Sequence, residues 1–234
     1  MMKRGKLVKQ QIISRRNMIG GTTLVALLML PGCATSLGSF GIDDAVRRLL
    51  TISSQRAFAR LMQANGFYDN QVAQIDLPPQ LGGAGASNAI IAALTGAVIK
   101  DRLRKQVNRA AEVGAKRAAP VVTDAIRGLT IADALGVIQG GPTAATSLLE
   151  NAMGDALFNA MLPGVGEGLR MFDDKIVTEA LRLATGIDFQ GLASDVSRKG
   201  SRAIYRAIGA EEAAIRANPG SANDTLLFSI LSTI

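Results

Sequence analysis

The densest polar grouping in this sequence is Asn108-Arg109-Ala110-Ala111-Glu112. Asn108 and Glu112 are four residues apart and Arg109 and Glu112 three, so on a helix they form neighbouring pairs on one face. In that arrangement Glu112 could exchange a proton or accept from a ligand while Arg109 holds an anion. Asp124 and Asp133 are the candidate second carboxyls, and Thr146 is a further candidate member of the polar cluster. Glycosidic chemistry requires two carboxyls about 5 to 10 Å apart across one cleft. The same residue types also suit an internal ion pair and a polar tie to the next helix, reaching Asp124 or Thr146.

Composition narrows the chemistry further. The chain has no His, no Trp and a single Cys. Imidazole-based acid–base catalysis, Ser-His-Asp and Cys-His nucleophiles, and the usual zinc ligand sets are excluded. No catalytic residue, cofactor site or metal site is assigned. Glu211, Glu212 and Arg216 form a second polar group, but adjacent carboxylates on a helix point in different directions. Glu212 and Arg216 therefore read as an ordinary i,i+4 pair on a solvated face.

The lone cysteine is Cys33, closing Leu30-Pro31-Gly32-Cys33 behind an apolar run from Met18 to Leu30. That run has the length of a signal-peptide core and falls short of the roughly 20 apolar residues that cross a bilayer. Ahead of it, Ser14-Arg15-Arg16-Asn17-Met18-Ile19 resembles a twin-arginine export signal, with Arg15 and Arg16 as its pair. The Cys33 segment resembles a lipobox, which implies cleavage before Cys33, acylation there, and the export and lipoprotein-processing machinery as partners. Ala34 follows, where an Asp would retain such a protein at the inner membrane. The expected location is the cell envelope, with the domain facing the periplasm and held by acyl chains, the outer membrane being favoured.

Removing the first 32 of 234 residues leaves 202, enough for one domain with a core. The full chain carries +7, but six of its 26 basic residues precede Cys33, leaving 20 against 19 acidic. The alkaline character belongs mostly to the leader, so no nucleic-acid partner is expected. The division is therefore 1–32 signal peptide, 33–41 lipidated cysteine and short linker, and 42–234 domain.

Helical periodicity runs through that domain, and no strand pattern with turn chemistry accompanies it; the fold class is all-α, a single multi-helix domain. Helices are expected over 42–62, from Ser87 or Asn88 through Ala111, along the Val121–Leu129 stripe, and after a Thr130–Asp133 capping box. Gly140-Gly141-Pro142 should end that helix through a left-handed C-cap. A helix over 143–162 should stop at Pro163, Gly164, Gly166 and Gly168. Further helices follow from Asp173 or Asp174, over 192–208 and 210–217, and after Asn223 or Asp224. Lys100, Arg102, Arg104, Lys105 and Arg109 read as a solvated face, with contact to anionic lipid headgroups as the alternative.

Taken in order, Gly66-Phe67, Ile75-Asp76-Leu77-Pro78, Asn108 to Glu112, Asp124-Ala125-Ile126 and Thr130 with Asp133-Ala134 resemble a bacterial envelope family. Ile138 to Gly141, Ala144-Ala145-Thr146, Glu211-Glu212, Ile215-Arg216 and Asn218-Pro219 continue the match over about residues 42–231. The family is catalogued as domain of unknown function 4197. The resemblance implies a helical fold and, often, a lipoprotein signal, with no activity established. The expected role is non-catalytic, structural or binding; the alternatives are a carboxylate-based hydrolase of cell-wall or glycan material, and a protein that binds lipid between its helices.

Overall fold

A computed structural model of the chain describes residues 34–77, 97–170 and 189–233. The leader with Arg15, Arg16 and Cys33 lies outside these residues, as do the expected helix starts at Ser87 or Asn88 and at Asp173 or Asp174. Among the described residues there are seven α-helices and no strand. They are α1 (Ala34–Leu61), α2 (Ala97–Gly128), α3 (Ala134–Ile138), α4 (Ala144–Met153), α5 (Ala156–Arg170), α6 (Phe189–Ala217) and α7 (Thr225–Leu231), with a 3-10 turn at Pro219–Ala222.

α1 begins at Ala34, so the stretch expected as a linker supplies its first two turns. Its inner stripe, Ala45, Val46, Leu49, Leu50 and Leu61, is buried at the helical spacing seen in the sequence. α2 runs antiparallel to it. Arg47 Nη2 donates to Leu129 O (2.8 Å) past the C-terminus of α2, while the other end of α1 reaches Glu112. α6 is antiparallel to α1 as well: Arg60 pairs with Glu211, and Arg48 Nη1 reaches Asp224 Oδ2 at 3.0 Å near the following helix.

The glycines expected to end a helix at 163–168 instead lie within α5. They let α5 approach α2 closely. A Cβ on Gly164 would stand 2.9 Å from Gly114 Cα, and one on Gly168 would stand 2.7 Å from Ala110 Cα. Only a residue without a side chain fits such a crossing. The break comes earlier, at Gly154, which has φ +49° between α4 and α5. Likewise α6 is one helix through Gly209, whose missing Cβ leaves room for Thr143 Cγ2 at 3.0 Å.

Local capping differs in two places from the expected pattern. Asp133 caps α3 alone, its side chain accepting from Gly136 N at 2.8 Å, and Thr130 is outside the motif. α3 then ends on Gln139 in a right-handed conformation instead of a left-handed glycine. Gly140 is there for space: a Cβ would meet Ala144 Cβ at 2.7 Å. Asp224 does cap α7 as expected, accepting from Leu227 N at 3.0 Å.

Candidate functional site

Two buried polar nodes stand out in a core dominated by Ala, Leu, Ile, Val, Met and Phe. The first centres on Glu212, which is 0% exposed. Its spacing explains its position, since it falls four residues after Ile208 and three before Ile215, both fully buried on the inner stripe of α6. Thr143, at the N-cap of α4, makes no side-chain capping bond. Glu212 fills that role from another helix: Ala145 N donates to Oε1 (3.0 Å), and Thr146 N (2.7 Å) and Thr146 Oγ1 (2.6 Å) donate to Oε2. A carboxylate is well suited to unpaired amides at a helix N-terminus.

Arg216, one turn on, completes the node. Its Nε donates to Glu212 Oε1 at 2.9 Å, and Nη1 and Nη2 donate to Ile138 O (2.7 Å) and Val137 O (3.0 Å) at the end of α3. The fork of one guanidinium thus joins α6 to α3 while the carboxylate joins α6 to α4. This corrects the expectation of a solvated pair. Glu211, beside it, is also buried and pairs with Arg60 of α1.

The second node lies on α2. Asn108 is fully buried; its Oδ1 accepts from Ile75 N (2.8 Å) and its Nδ2 donates to Ile75 O (2.9 Å) and Arg104 O (2.8 Å). Glu112, 7% exposed, faces the amides of Asn65 and Gly66 just past the end of α1. Desolvation pushes its carboxyl above the ordinary value, opposed by the Arg109 charge, those amides and Lys116. Asn65 adopts φ +61°, and a Cβ on Gly66 would collide with Leu61 O at 2.6 Å. The tight turn therefore requires glycine there.

The six sequence candidates are thus dispersed. Asn108 holds the 65–75 loop at Ile75, Glu112 lies beside Asn65 and Gly66, and Arg109 is exposed on the same helix. Asp124 is exposed and pairs with Arg127 at 3.0 Å, Asp133 caps α3, and Thr146 belongs to the Glu212 node. Glu112 and Asp124 lie on one helix, 12 residues or about 18 Å of rise apart. That exceeds the roughly 5 to 10 Å across which two carboxyls hydrolyse a glycosidic bond. The residue that sequence reasoning misplaced is Glu212, and the signal was its position between Ile208 and Ile215.

Two cavities border these elements. A cleft of about 1060 Å³ between α2, α5 and the start of α6 is lined by Arg117, Glu167, Leu162, Arg170, Phe189 and Gln190, among others. A pocket of about 240 Å³ lies between α1 and α2, with Phe58, Met62, Ala119 and Ile126 on its walls. Neither is lined by Glu112, Asp124 or Asp133. Among the described residues no group of three or more acidic or Cys side chains is positioned to hold a metal ion. No helix among them is long and apolar enough to cross a membrane.

A family model described as "Protein of unknown function (DUF4197)" matches residues 36–231, nearly the whole helical domain. No curated protein and no solved structure matches the chain.

Proposed function

This chain belongs to the DUF4197 family, and from that premise we propose that it is a lipid-anchored helical protein of the cell envelope with a non-catalytic, structural or binding role. The observation that carries the reading is the Glu212 node. The most deeply buried carboxylate is saturated by amides, a hydroxyl and a guanidinium of its own chain, a tie between helices with no free lone pair for a substrate. Glu211 pairs with Arg60, and Asn108 is bonded to the backbone of Ile75 and Arg104. The anchoring part rests on the lipobox-like Leu30-Pro31-Gly32-Cys33 and the export-like arginine pair.

The hydrolase alternative has less support, because Glu112 and Asp124 stand about three turns apart on α2. Lipid binding between the helices has two candidate places: the pocket of about 240 Å³ between α1 and α2, below the roughly 300 Å³ at which ligand pockets begin, and the larger cleft of about 1060 Å³, whose walls carry Arg117, Glu167 and Arg170 beside Leu162 and Phe189. Anchoring is tested by intact mass and membrane fractionation of the wild type beside Cys33→Ala. Acyl mass on the wild type alone, with Cys33→Ala failing to be processed, is the expected result; an unacylated, freely soluble wild type would remove the anchor. Loss of an envelope-polymer hydrolysis activity on Glu112→Gln, with the fold intact, would overturn the non-catalytic role.

A further inference from the structure

The loop after α1 is flanked by two rows of cations with the same spacing. Arg102, Lys105 and Arg109 stand at i, i+3 and i+7 on α2, and Lys199, Arg202 and Arg206 repeat that spacing on α6. Contacts to the loop place both rows beside it. Lys105 Nζ lies 5.2 Å from the Tyr68 ring centroid, Lys199 Nζ donates to Asp76 O (3.2 Å), and Arg206 Nε donates to Val72 O (3.0 Å). Arg104, beside Asp76 of the loop, extends the set to seven cations, against the five carboxylates Asp69, Asp76, Asp101, Glu112 and Asp195.

Three of the cations pair with carboxylates: Arg104 with Asp76, Lys105 with Asp101, and Lys199 with Asp195. No carboxylate among the described residues lies within ion-pair distance of Arg102, Arg109, Arg202 or Arg206, and all four are exposed. Every unmatched cation is thus an arginine, whose planar fork engages carboxylate or phosphate groups with two parallel bonds. Four unmatched like charges flanking one loop repel each other, a cost that an anionic partner relieves.

We propose that this face binds an anionic polymer, of the class of cell-wall glycopeptides with free carboxylates on their peptide stems. The position of the face favours a polymer over the anchoring membrane. α1 is unbroken over 28 residues, about 42 Å. With α2 and α6 antiparallel to it, the cationic face lies beyond its C-terminal end, at the opposite pole from Ala34. Docking into headgroups also wants an apolar face beside the cations, and the only large apolar residue strongly exposed among the described residues of this loop is Val72, at 43%. The choice of a wall polymer rests on the envelope reading above, whereas the cationic face does not.

The test is co-sedimentation of the mature chain, in neutral detergent, with isolated peptidoglycan sacculi. Arg102, Arg109 and Arg202 are the side chains to reverse, because among the described residues none bonds to another element: Arg202 Nε reaches only Arg198 O of its own helix. The triple variant Arg102→Glu/Arg109→Glu/Arg202→Glu should bind at least about tenfold more weakly at low salt, with unchanged helical circular dichroism. Wild-type binding should be released by salt, as screened charges require. Arg127→Glu, at the other end of α2, should bind as the wild type does. Equal sedimentation of the triple variant, or no sedimentation of the wild type, overturns the proposal. Binding to phosphatidylglycerol vesicles but not to sacculi overturns it in favour of a lipid surface. Intact mass on the same sample reports the anchor separately, so a missing acyl group refutes the anchoring reading while the wild-type and variant comparison still decides this one.

Discussion

Replacing Glu212 with Gln keeps the volume and removes the charge at a site with 0% exposure. The amide offers one acceptor where the carboxylate offered two. Its NH2 then faces either Ala145 N and the Arg216 fork at the Oε1 position, or the Thr146 amide and hydroxyl at the Oε2 position. Arg216, with its side chain only 11% exposed, is left without its counter-charge. Breaking a buried pair by neutralising one partner costs about 3 to 5 kcal/mol. For a domain of this size each kcal/mol moves the melting temperature by about 2 to 4 °C, so a fall of roughly 6 to 20 °C is expected. Thr146→Val removes one hydroxyl bond to a charged acceptor and should cost about 1.5 to 3 kcal/mol. Glu212→Leu/Arg216→Met removes both charges yet leaves the first amides of α4 and the Val137 and Ile138 carbonyls without these partners, so it should not recover wild-type stability. Urea unfolding followed by circular dichroism reads all three. A loss below about 1 kcal/mol for Glu212→Gln, the range of an exposed pair, would refute the reasoning.

Glycine positions on α5 make opposite predictions. Gly164→Ala places a methyl against Gly114 and should destabilise by about 1 to 3 kcal/mol, whereas Gly166, with nothing within 4 Å of its Cβ position, should gain up to about 1 kcal/mol as Ala; thermal melts of the two variants compare them directly. Glu112 has its folded pKa raised from 4.5, mainly by desolvation, so the folded state holds its proton more tightly than the unfolded one. Stability relative to Glu112→Gln should therefore fall as the pH rises from about 4.5 through the raised value and then level off, which urea titrations across that range will measure. Tyr205 is 6% exposed with no partner for its hydroxyl among the described residues, and burial pushes its pKa from 10.0 up to about 12. Tyr205→Phe should be neutral or stabilising at pH 7, and the wild type should lose stability relative to it between pH 10 and 12, seen as a widening gap in melting temperature.

What the sequence determined by itself is the set of properties carried by local spacing and composition. The apolar stripes of α1 and α6, the stop at Asn218-Pro219-Gly220 and the Asp224 cap depend on neighbours within a turn or two, and the structure has them where the periodicity places them. The absence of His and the single Cys likewise restrict the available chemistry without any fold. What only the tertiary structure decided is which face of a helix meets which partner. Gly164 and Gly168 read locally as breakers, but α2 passes so close that their missing side chains are what the crossing requires. Glu212 and Arg216 read locally as a surface pair, yet the N-terminus of α4 and the end of α3 arrive from 66 to 79 residues away to supply donors and acceptors. Asn108, Glu112, Asp124 and Thr146 looked like one cluster because they are polar and near in sequence; about 18 Å of helix rise and the antiparallel return of α1 sent them to different partners. A short-range pattern fixes the direction in which a side chain leaves its helix, and long-range packing alone determines whether it meets water, a carbonyl or another chain.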